Sequence, residues 1–322
     1  MNHQPSTIPH QSSTPLRQGF AGQAINHSSS PLVSVVIPAC NAHRTIREAV
    51  DSVLAQSFRS FEVIVVDDGS TDDTRETLAP LLDRIRYVRQ ENRGVYAARN
   101  AGTRLAQGCY LAFLDADDAW LPEKLALQTA FLEAHPDFGA VHTDTALMDA
   151  DGRVTKPAVN PRRQGRDGMV FDEFFASNMA VILLSTVLIR RTCFDELGPF
   201  DERYPAVQDY IFFLRLAWRF PIGFLPLPLV RYRVTPGSLS RKNPLENIVI
   251  RERLLREFIA QHQDYFGSRA GLLRRKWRGF NLDAGLRLFH HGDYAASRRY
   301  LAKARATGPR AWLYWLAAWL RR

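Results

Sequence analysis

The stretch YLAFLDADDAW, residues 110–120, decides the fold of this chain. Its apolar first half predicts a buried strand. Three aspartates follow directly, Asp115, Asp117 and Asp118. Like charges this close together repel one another, and burial strengthens the repulsion. The cluster must therefore face either water or a positively charged partner, and the elements around it decide which of the two applies.

Strands and helices alternate along the first part of the chain, outward from this stretch. Apolar, β-branched runs predict strands, and apolar residues at helical spacing predict the helices between them. The predicted strands are 33–37, 61–66, 85–88 and 109–114, and the predicted helices are 45–56, 94–107 and 122–134. This alternation is typical of an α/β fold, in which helices flank a mainly parallel sheet.

Acidic residues follow two of these strands. Asp67 and Asp68 end the second strand, and residues 115–118 follow the fourth. Ligands of open α/β sheets bind outside the carboxyl ends of the strands, so both acidic groups are expected to face one crevice. Clustered carboxylates there favour Mg²⁺ or Mn²⁺. The alternative is a solvated acidic turn that caps the next helix.

The composition excludes several classes of protein. The three cysteines are far apart and odd in number, which argues against a disulfide framework and favours a reducing compartment. No glycine-rich phosphate loop is present, so a metal held by aspartates is the consistent substitute. No apolar run reaches the about 20 residues of a membrane-spanning helix, and a signal peptide is not evident. A cytoplasmic location is expected.

The net charge of +9 is concentrated in the last third of the chain. The arginines there alternate with aliphatic residues at helical spacing, which is typical of solvated helix faces and does not favour nucleic-acid binding. Residues 1–30 are polar and read as a disordered tail. From residue 245 the pattern is helical, with breaks predicted at Gly271, Gly292 and Gly308. A boundary is placed near residue 240.

Predicted strands and helices also alternate in the middle of the chain. Strands are predicted at 140–148, 181–189 and 230–234, and helices at 171–177 and 208–218. The spacing suits an α/β domain that continues to about residue 240.

Five segments, taken in their order and spacing, resemble glycosyltransferase family 2. They are VSVVIPACN at 33–41, AQSF at 55–58, FEVIVVDDGSTD at 61–72, NRG with ARNAG between 92 and 102, and FLDADD at 113–118. The resemblance implies a GT-A fold, Rossmann-like, over residues 31–240. Residues 31–122 would be the nucleotide-binding half and 123–240 the acceptor half. It also implies transfer of a sugar from a nucleotide-diphosphate donor, usually a UDP-sugar, with inversion.

The resemblance assigns donor-site roles to five residues. Pro38 and Asn41 are expected to flank the nucleotide pocket, and Asp68 to pair with the donor base. Arg99 is similar to a basic residue near the donor. Arg233 lies in a segment similar to the loop that closes over the diphosphate, where it would supply a positive charge. The alternative for Arg233 is an exposed arginine on a strand.

The resemblance also assigns the metal ligands and the catalytic base. Asp115 and Asp117 match the DxD pair that binds the diphosphate and the metal, Mg²⁺ or Mn²⁺, and Asp118 would assist through hydrogen bonds. Asp209 matches the aspartate that acts as base, although Gln208 stands where glutamate is usual. The alternative for Asp209 is a carboxylate at a helix N-terminus, where the helix dipole favours it.

The region 241–322 lies outside this resemblance. Residues 279–309 resemble one helical hairpin of the tetratricopeptide type. Residues 311–322 carry Trp312, Trp315 and Trp319 at helical spacing, followed by arginines. Such a helix suits either an anionic membrane surface or docking on the hairpin. A saccharide or lipid-linked acceptor, and a role in cell-envelope or surface-polysaccharide synthesis, are implied by the resemblance alone.

Two other functions compete with a sugar transferase. A nucleotidyltransferase also uses a parallel sheet and acidic metal ligands, but it needs the glycine-rich phosphate loop that this chain lacks. A binding module could keep the nucleotide pocket without turnover, and Gln208 is the sequence feature that suggests it.

Overall fold

A computed structural model of the chain describes residues 30–159, 167–176, 182–204, 207–235, 243–304 and 309–320. The predicted disordered tail lies outside these residues, apart from Ser30.

One mixed sheet holds the strands of the described part of the chain, in the order β3-β2-β1-β4-β8-β6-β9-β5, with β7 paired to β6. The strands are β1 Val33–Ala39, β2 Phe61–Asp68, β3 Arg86–Gln90, β4 Tyr110–Phe113, β5 Ala119–Trp120, β6 Ala140–Met148, β7 Val154–Lys156, β8 Val187–Arg190 and β9 Ile222–Arg233. The first four strands run parallel to one another. Strand β8 is antiparallel to both β4 and β6, while β6 and β9 are parallel. The predicted α/β class is confirmed, and the sheet becomes mixed beyond β4.

Helices flank this sheet and then continue to the end of the described residues. They are α1 Ile46–Leu54, α2 Thr74–Leu78, α3 Val95–Leu105, α4 Lys124–Ala134, α5 Phe171–Ala176, α6 Arg191–Leu197, α7 Gln208–Arg219, α8 Pro244–Gln261, α9 Gln263–Gly267, α10 Ala270–His291, α11 Tyr294–Ala304 and α12 Pro309–Leu320. None of them is long and apolar enough to cross a membrane.

Two apolar cores lie on the two faces of the sheet, because successive side chains of a strand point to opposite faces. Val35 of β1 belongs to the core that contains residues of α1 and α4, and Val36 belongs to the other core. That second core also contains Phe258 of α8 and Phe280 of α10. The C-terminal helices therefore pack directly on the α/β domain.

Two predicted strands differ from the observed ones. The stretch 181–189 forms a strand only from Val187, since Leu184–Thr186 makes a single 3₁₀ turn, and residue 181 lies outside the described residues. The strand predicted at 230–234 begins earlier, at Ile222. The added part contains Pro226 and Pro228, and the pairing of β9 with β6 is irregular at this point. Prolines are tolerated at such irregularities.

The predicted breaks in the C-terminal helices are correct in part. Gly292 ends α10 with a φ of 93°, the left-handed conformation that glycine adopts freely. Gly271 lies inside α10, and the break comes just before it, between α9 and α10. Gly308 lies outside the described residues.

We expect Gly108→Ala to destabilise the fold, because the glycine packs against the backbone of β1. A Cβ atom at residue 108 would lie 2.6 Å from the nitrogen of Ser34 and 2.8 Å from the carbonyl carbon of Val33. Relieving this clash should lower the free energy of unfolding by about 1–3 kcal/mol, measured by urea denaturation.

The matched control is Gly271→Ala on α10, where a Cβ atom would meet only Nη2 of Arg274, at 4.0 Å. That variant should equal or exceed the wild-type stability by up to about 1 kcal/mol. Equal stability of the Gly108→Ala variant and the wild type would contradict the observed packing.

Candidate functional site

A cavity of about 920 Å³ opens at the carboxyl ends of β1, β2 and β4, and α7, α8 and α10 also contribute to its lining. The structure places most of the predicted site residues on its wall. These are Pro38, Asn41, Asp68, Arg99, Asp115, Asp117 and Asp209. Arg233 and Asp118 are not among the lining residues.

Asp68, at the end of β2, holds the turn that leads into α3. One carboxylate oxygen accepts hydrogen bonds from Nε2 of Gln90, at 2.7 Å, and from the backbone nitrogen of Arg93, at 2.9 Å. The other accepts one from the backbone nitrogen of Gly94, at 2.7 Å. The neighbouring Asp67 instead accepts a hydrogen bond from the backbone nitrogen of Ser70, at 2.8 Å. Asp68 therefore shapes the cavity as well as lining it.

Asn41 ties together the loops that follow β1 and β2. It has a φ of 50°, a conformation that asparagine tolerates better than most residues. Its side-chain oxygen accepts a hydrogen bond from the backbone nitrogen of Thr71, at 2.8 Å, and its own backbone nitrogen donates to Oγ of Ser70, at 2.9 Å. These bonds fix the rim of the cavity beside Pro38.

Arg99 of α3 is the positive partner of the acidic cluster. Its side chain is buried, and Nη2 donates to a carboxylate oxygen of Asp115. Its Cζ atom lies 5.2 Å from the centroid of the Tyr96 ring. Its Nε atom is buried and has no hydrogen-bond partner among the described residues. The cluster thus has both a buried cation and an opening to the cavity.

The other two aspartates of the cluster differ in environment. Asp118 is buried and accepts hydrogen bonds from Oγ of Ser185, at 2.6 Å, and from the backbone nitrogen of Arg233, at 3.0 Å. Asp117 lines the cavity. Burial, together with the negative charge of Asp115, raises the pKa of Asp117 to about 6. The cavity therefore presents an excess of negative charge at Asp117.

Asp115 and Asp117 fit a divalent cation. Across the described residues, no group of three or more His, Cys, Asp and Glu side chains could hold a metal ion. Mg²⁺ and Mn²⁺ nevertheless bind through one or two carboxylates when substrate phosphates complete the coordination. Burial first, and the charge of Asp115 second, raise the pKa of Asp117, and a bound cation would favour its charged form. The residues present therefore match the chemistry of such an ion.

Asp209 lies in the first turn of α7, where it accepts a hydrogen bond from the backbone nitrogen of Tyr210, at 2.9 Å. Burial raises its pKa, while the charge of Arg99 opposes the rise. A carboxylate with a raised pKa accepts a proton more readily, as a general base must.

Gln208, beside this aspartate, points away from solvent. Its backbone nitrogen donates to the hydroxyl of Tyr96, at 3.2 Å. Its side-chain nitrogen is buried, with no partner among the described residues. The residue that departs from the usual glutamate is therefore not one of those that line the cavity.

The structure does not bring Arg233 to the cavity. Its side chain is only 4% exposed. It donates to the backbone oxygens of Asp117, at 2.9 Å, and Ala150, at 2.9 Å, and it pairs with Glu48. Arg233 therefore stabilises the loop that carries Asp117 and Asp118, and it does so outside the cavity lining.

Sequence reasoning missed the residues that the helical region contributes to the cavity. Pro244, Asn247, Ile248 and Arg251 of α8, and Arg287 of α10, line it. The boundary placed near residue 240 separated them from the site. Their helical spacing shows which face of each helix is apolar, but it does not show which surface that face contacts.

The chain is similar to known glycosyltransferases. Residues 34–183 match the model of glycosyl transferase family 2. An uncharacterized glycosyltransferase of Haemophilus influenzae is 32% identical over 191 residues, which cover 57% of this chain and 71% of that protein. One of Rickettsia prowazekii is 33% identical over 182 residues, which cover 56% of this chain and 57% of the relative. Against two further Rickettsia relatives the chain spans only 36% and 32% of their length.

Solved structures share the fold. The structure of TarS residues 1–349 from S. aureus, in complex with UDP-GlcNAc, has a TM-score of 0.57 at 18% identity, covering 85% of this chain and 91% of that one. The mannosyltransferase PcManGT of Pyrobaculum calidifontis, in complex with GDP-Man and Mn²⁺, has a TM-score of 0.56 at 20% identity, covering 90% and 86%. At these identities the likeness shows the GT-A fold alone.

We expect Arg233→Met to lower stability and to affect ligand binding only secondarily. The change leaves the backbone oxygens of Asp117 and Ala150 without their donor. Losing these buried partners should cost about 2–4 kcal/mol of unfolding free energy, measured by urea denaturation.

The matched control is Arg231→Met, because Arg231 is exposed on the same strand. That variant should unfold like the wild type. Wild-type stability of the Arg233→Met variant, combined with a lost affinity for nucleotide, would instead place Arg233 in the ligand site.

Proposed function

The chain belongs to glycosyltransferase family 2, and we propose that it transfers a sugar from a nucleotide-diphosphate donor to an acceptor hydroxyl, with inversion at the anomeric carbon. The observation that carries this proposal is the presence of Asp68, Asp115, Asp117 and Asp209 in the lining of one cavity. A UDP-sugar is the proposed donor. The UDP-GlcNAc complex of TarS supports this choice, although PcManGT was solved with GDP-Man.

The donor would be held by residues at the ends of β1 and β2. Pro38 and Asn41 line the cavity at its rim, and Asp68 lines it at the start of the turn before α3. In the proposal, Asp68 recognises the donor base while it continues to hold that turn. Arg99 acts through Asp115, whose carboxylate it binds.

Asp115 and Asp117 would hold Mg²⁺ or Mn²⁺, which when bound would neutralise the negative charge that develops on the departing diphosphate. The Mn²⁺ in the PcManGT structure supports this assignment. Asp118 and Arg233 would position the loop that carries both ligands, since Asp118 accepts the backbone N–H of Arg233 and Arg233 donates to the backbone of Asp117.

Asp209 would act as the general base. As the acceptor oxygen attacks the anomeric carbon, its proton passes to the Asp209 carboxylate. The bond between the anomeric carbon and the diphosphate oxygen breaks, and the diphosphate leaves with the electron pair. Because attack and departure occur on opposite sides in a single displacement, the anomeric configuration inverts.

We expect Asp209→Asn to abolish turnover and preserve donor binding. The amide cannot accept the proton, so the rate should fall by about 100-fold to 10,000-fold. The measurement is release of nucleoside diphosphate from the donor with Mn²⁺ present, alongside calorimetric donor titration.

Asp195→Asn is the matched control, because Asp195 is exposed on α6 and lies outside the cavity lining. It should turn over like the wild type. A wild-type chain that binds donor without turning it over would point to a binding module, and an unchanged rate in the Asp209→Asn variant would remove Asp209 as the base.

The acceptor is proposed to be a saccharide or a lipid-linked acceptor, used in cell-envelope or surface-polysaccharide synthesis at the cytoplasmic face of the membrane. The observation behind the membrane contact is an exposed apolar face on α12, formed by Trp312, Leu313, Leu316, Trp319 and Leu320. Arg298 of α11 lies beside it, with Cζ 4.7 Å from the Trp319 ring centroid. Tryptophans next to basic residues suit a helix that lies on an anionic membrane.

We expect replacement of both Trp312 and Trp319 by serine to weaken binding to vesicles of phosphatidylglycerol and phosphatidylcholine by about tenfold or more. Partial burial of the two indoles should together contribute at least about 1.4 kcal/mol to partitioning, which corresponds to a tenfold change in affinity. Sedimentation of protein with vesicles measures the change. Val249→Ser, at another exposed apolar residue on α8, is the control and should bind like the wild type. Equal binding by the double-serine variant and the wild type would rule out α12 as the membrane contact.

A further inference from the structure

The helical region adds positive charge to a cavity whose other wall is acidic. Arg251 of α8 and Arg287 of α10 both belong to the cavity lining. Asp115, Asp117 and Asp209 line the part built by the α/β domain. A ligand that approached Asp209 with a negative charge of its own would be repelled by these carboxylates unless a cationic group compensated for them.

Arg251 forms an ion pair with Asp283 through one nitrogen of its guanidinium group. Its side chain is 12% exposed, and its Nη2 atom donates to a carboxylate oxygen of Asp283, at 2.7 Å. Its Cζ atom lies 5.0 Å from the Phe280 ring centroid and 5.9 Å from that of Tyr210. The hydrogen bond to Asp283 uses Nη2, so Nε and Nη1 of the same guanidinium group take no part in it.

Arg287 shares the same counter-ion. Its Nε atom donates to both oxygens of Asp283, each at 3.0 Å, and its side chain is 52% exposed. One carboxylate thus serves two guanidinium groups, which leaves an excess of positive charge at the cavity wall. Burial, and after it the charge of Arg251, lower the pKa of the nearby Lys276 to about 7.

Tyr210 lies between the two parts of the chain in question, since it follows Asp209 in sequence and its ring contacts Arg251. It directly follows Asp209 and lines the cavity, and its ring faces Arg251. Its hydroxyl is buried and has no hydrogen-bond partner among the described residues. The unpaired hydroxyl of Tyr210 and the guanidinium of Arg251 therefore belong to residues that line the same cavity as Asp209.

We propose that Arg251 and Arg287 form a subsite for an oxyanion carried by the acceptor, a phosphate or a carboxylate, and so select a negatively charged acceptor. This inference rests on the proposed glycosyl transfer. Guanidinium groups bind phosphates and carboxylates through paired, charge-assisted hydrogen bonds. Fixing the anion there would bring a hydroxyl of the same acceptor to Asp209.

The test measures binding of small probes to the full chain by saturation-transfer NMR. Glycerol 3-phosphate represents a phosphate, glucuronate represents a carboxylate, and glycerol and glucose are the neutral counterparts. We expect at least one anionic probe to bind about tenfold more tightly than its neutral counterpart, and the comparison of the two anions identifies the preferred group. Arg251→Gln and Arg287→Gln should each weaken that binding by about tenfold.

Arg253→Gln is the matched control, because Arg253 is exposed on the same helix, pairs with Glu257 and lies outside the cavity lining. It should bind the anions like the wild type. Arg287 is exposed, so its variant keeps the test decisive even if Arg251→Gln fails to fold. Equal binding of anionic and neutral probes, or unchanged anion binding in the Arg287→Gln variant, overturns the inference.

Donor titration of the same variants separates this inference from the proposed function. Wild-type donor affinity in the Arg287→Gln variant, with lost anion binding, supports an acceptor subsite. Weakened donor binding with unchanged anion binding would assign the arginines to the donor and overturn it. A wild-type chain that binds the anions but no nucleotide-sugar would instead count against the proposed glycosyl transfer.

Discussion

Repulsion among the carboxylates that follow β4 is the constraint on which the rest of the site depends. Asp115, Asp117 and Asp118 each have a different environment that sets how far this repulsion is compensated. Arg99 binds Asp115 from α3, and the buried Asp118 accepts hydrogen bonds from Ser185 and from the backbone of Arg233. Asp117 remains at the cavity with a raised pKa of about 6. The fold thus leaves negative charge uncompensated at one place, which is where a cation bound to a diphosphate would relieve it.

The cavity lies at the carboxyl ends of the parallel strands. The parallel strands β1, β2 and β4 deliver Pro38, Asp68 and Asp115 to the same end, because their carboxyl ends coincide. The C-terminal helices then pack on the core of the α/β domain and extend the cavity with a basic wall. The acidic part suits the donor and its metal, and the basic part suits an acceptor that carries an anion.

The parallel half of the sheet and several of the acidic residues that line the cavity could be predicted from the sequence, because β-branched runs end in acidic clusters there and the segments resemble a known family. The rest depends on contacts that local patterns do not encode. The first part of β9 could not be predicted, because it contains Pro226 and Pro228, which lie where the register between β9 and β6 shifts. Arg233 was expected at the diphosphate, whereas the structure buries it behind the acidic loop. Arg251 reaches the cavity through the docking of α8, which helical periodicity does not reveal.

The central claim is that the cavity binds a nucleotide-sugar through a cation held by Asp115 and Asp117. Calorimetric titration with UDP-, GDP- and dTDP-sugars, each with Mn²⁺ and with EDTA, tests it most directly. The account predicts that one donor binds with Mn²⁺, that EDTA removes the binding, and that Asp117→Asn does the same. Asp73→Asn, at an exposed residue outside the cavity lining, should bind like the wild type. Donor binding that is equal in EDTA and unaffected by Asp117→Asn would contradict the account.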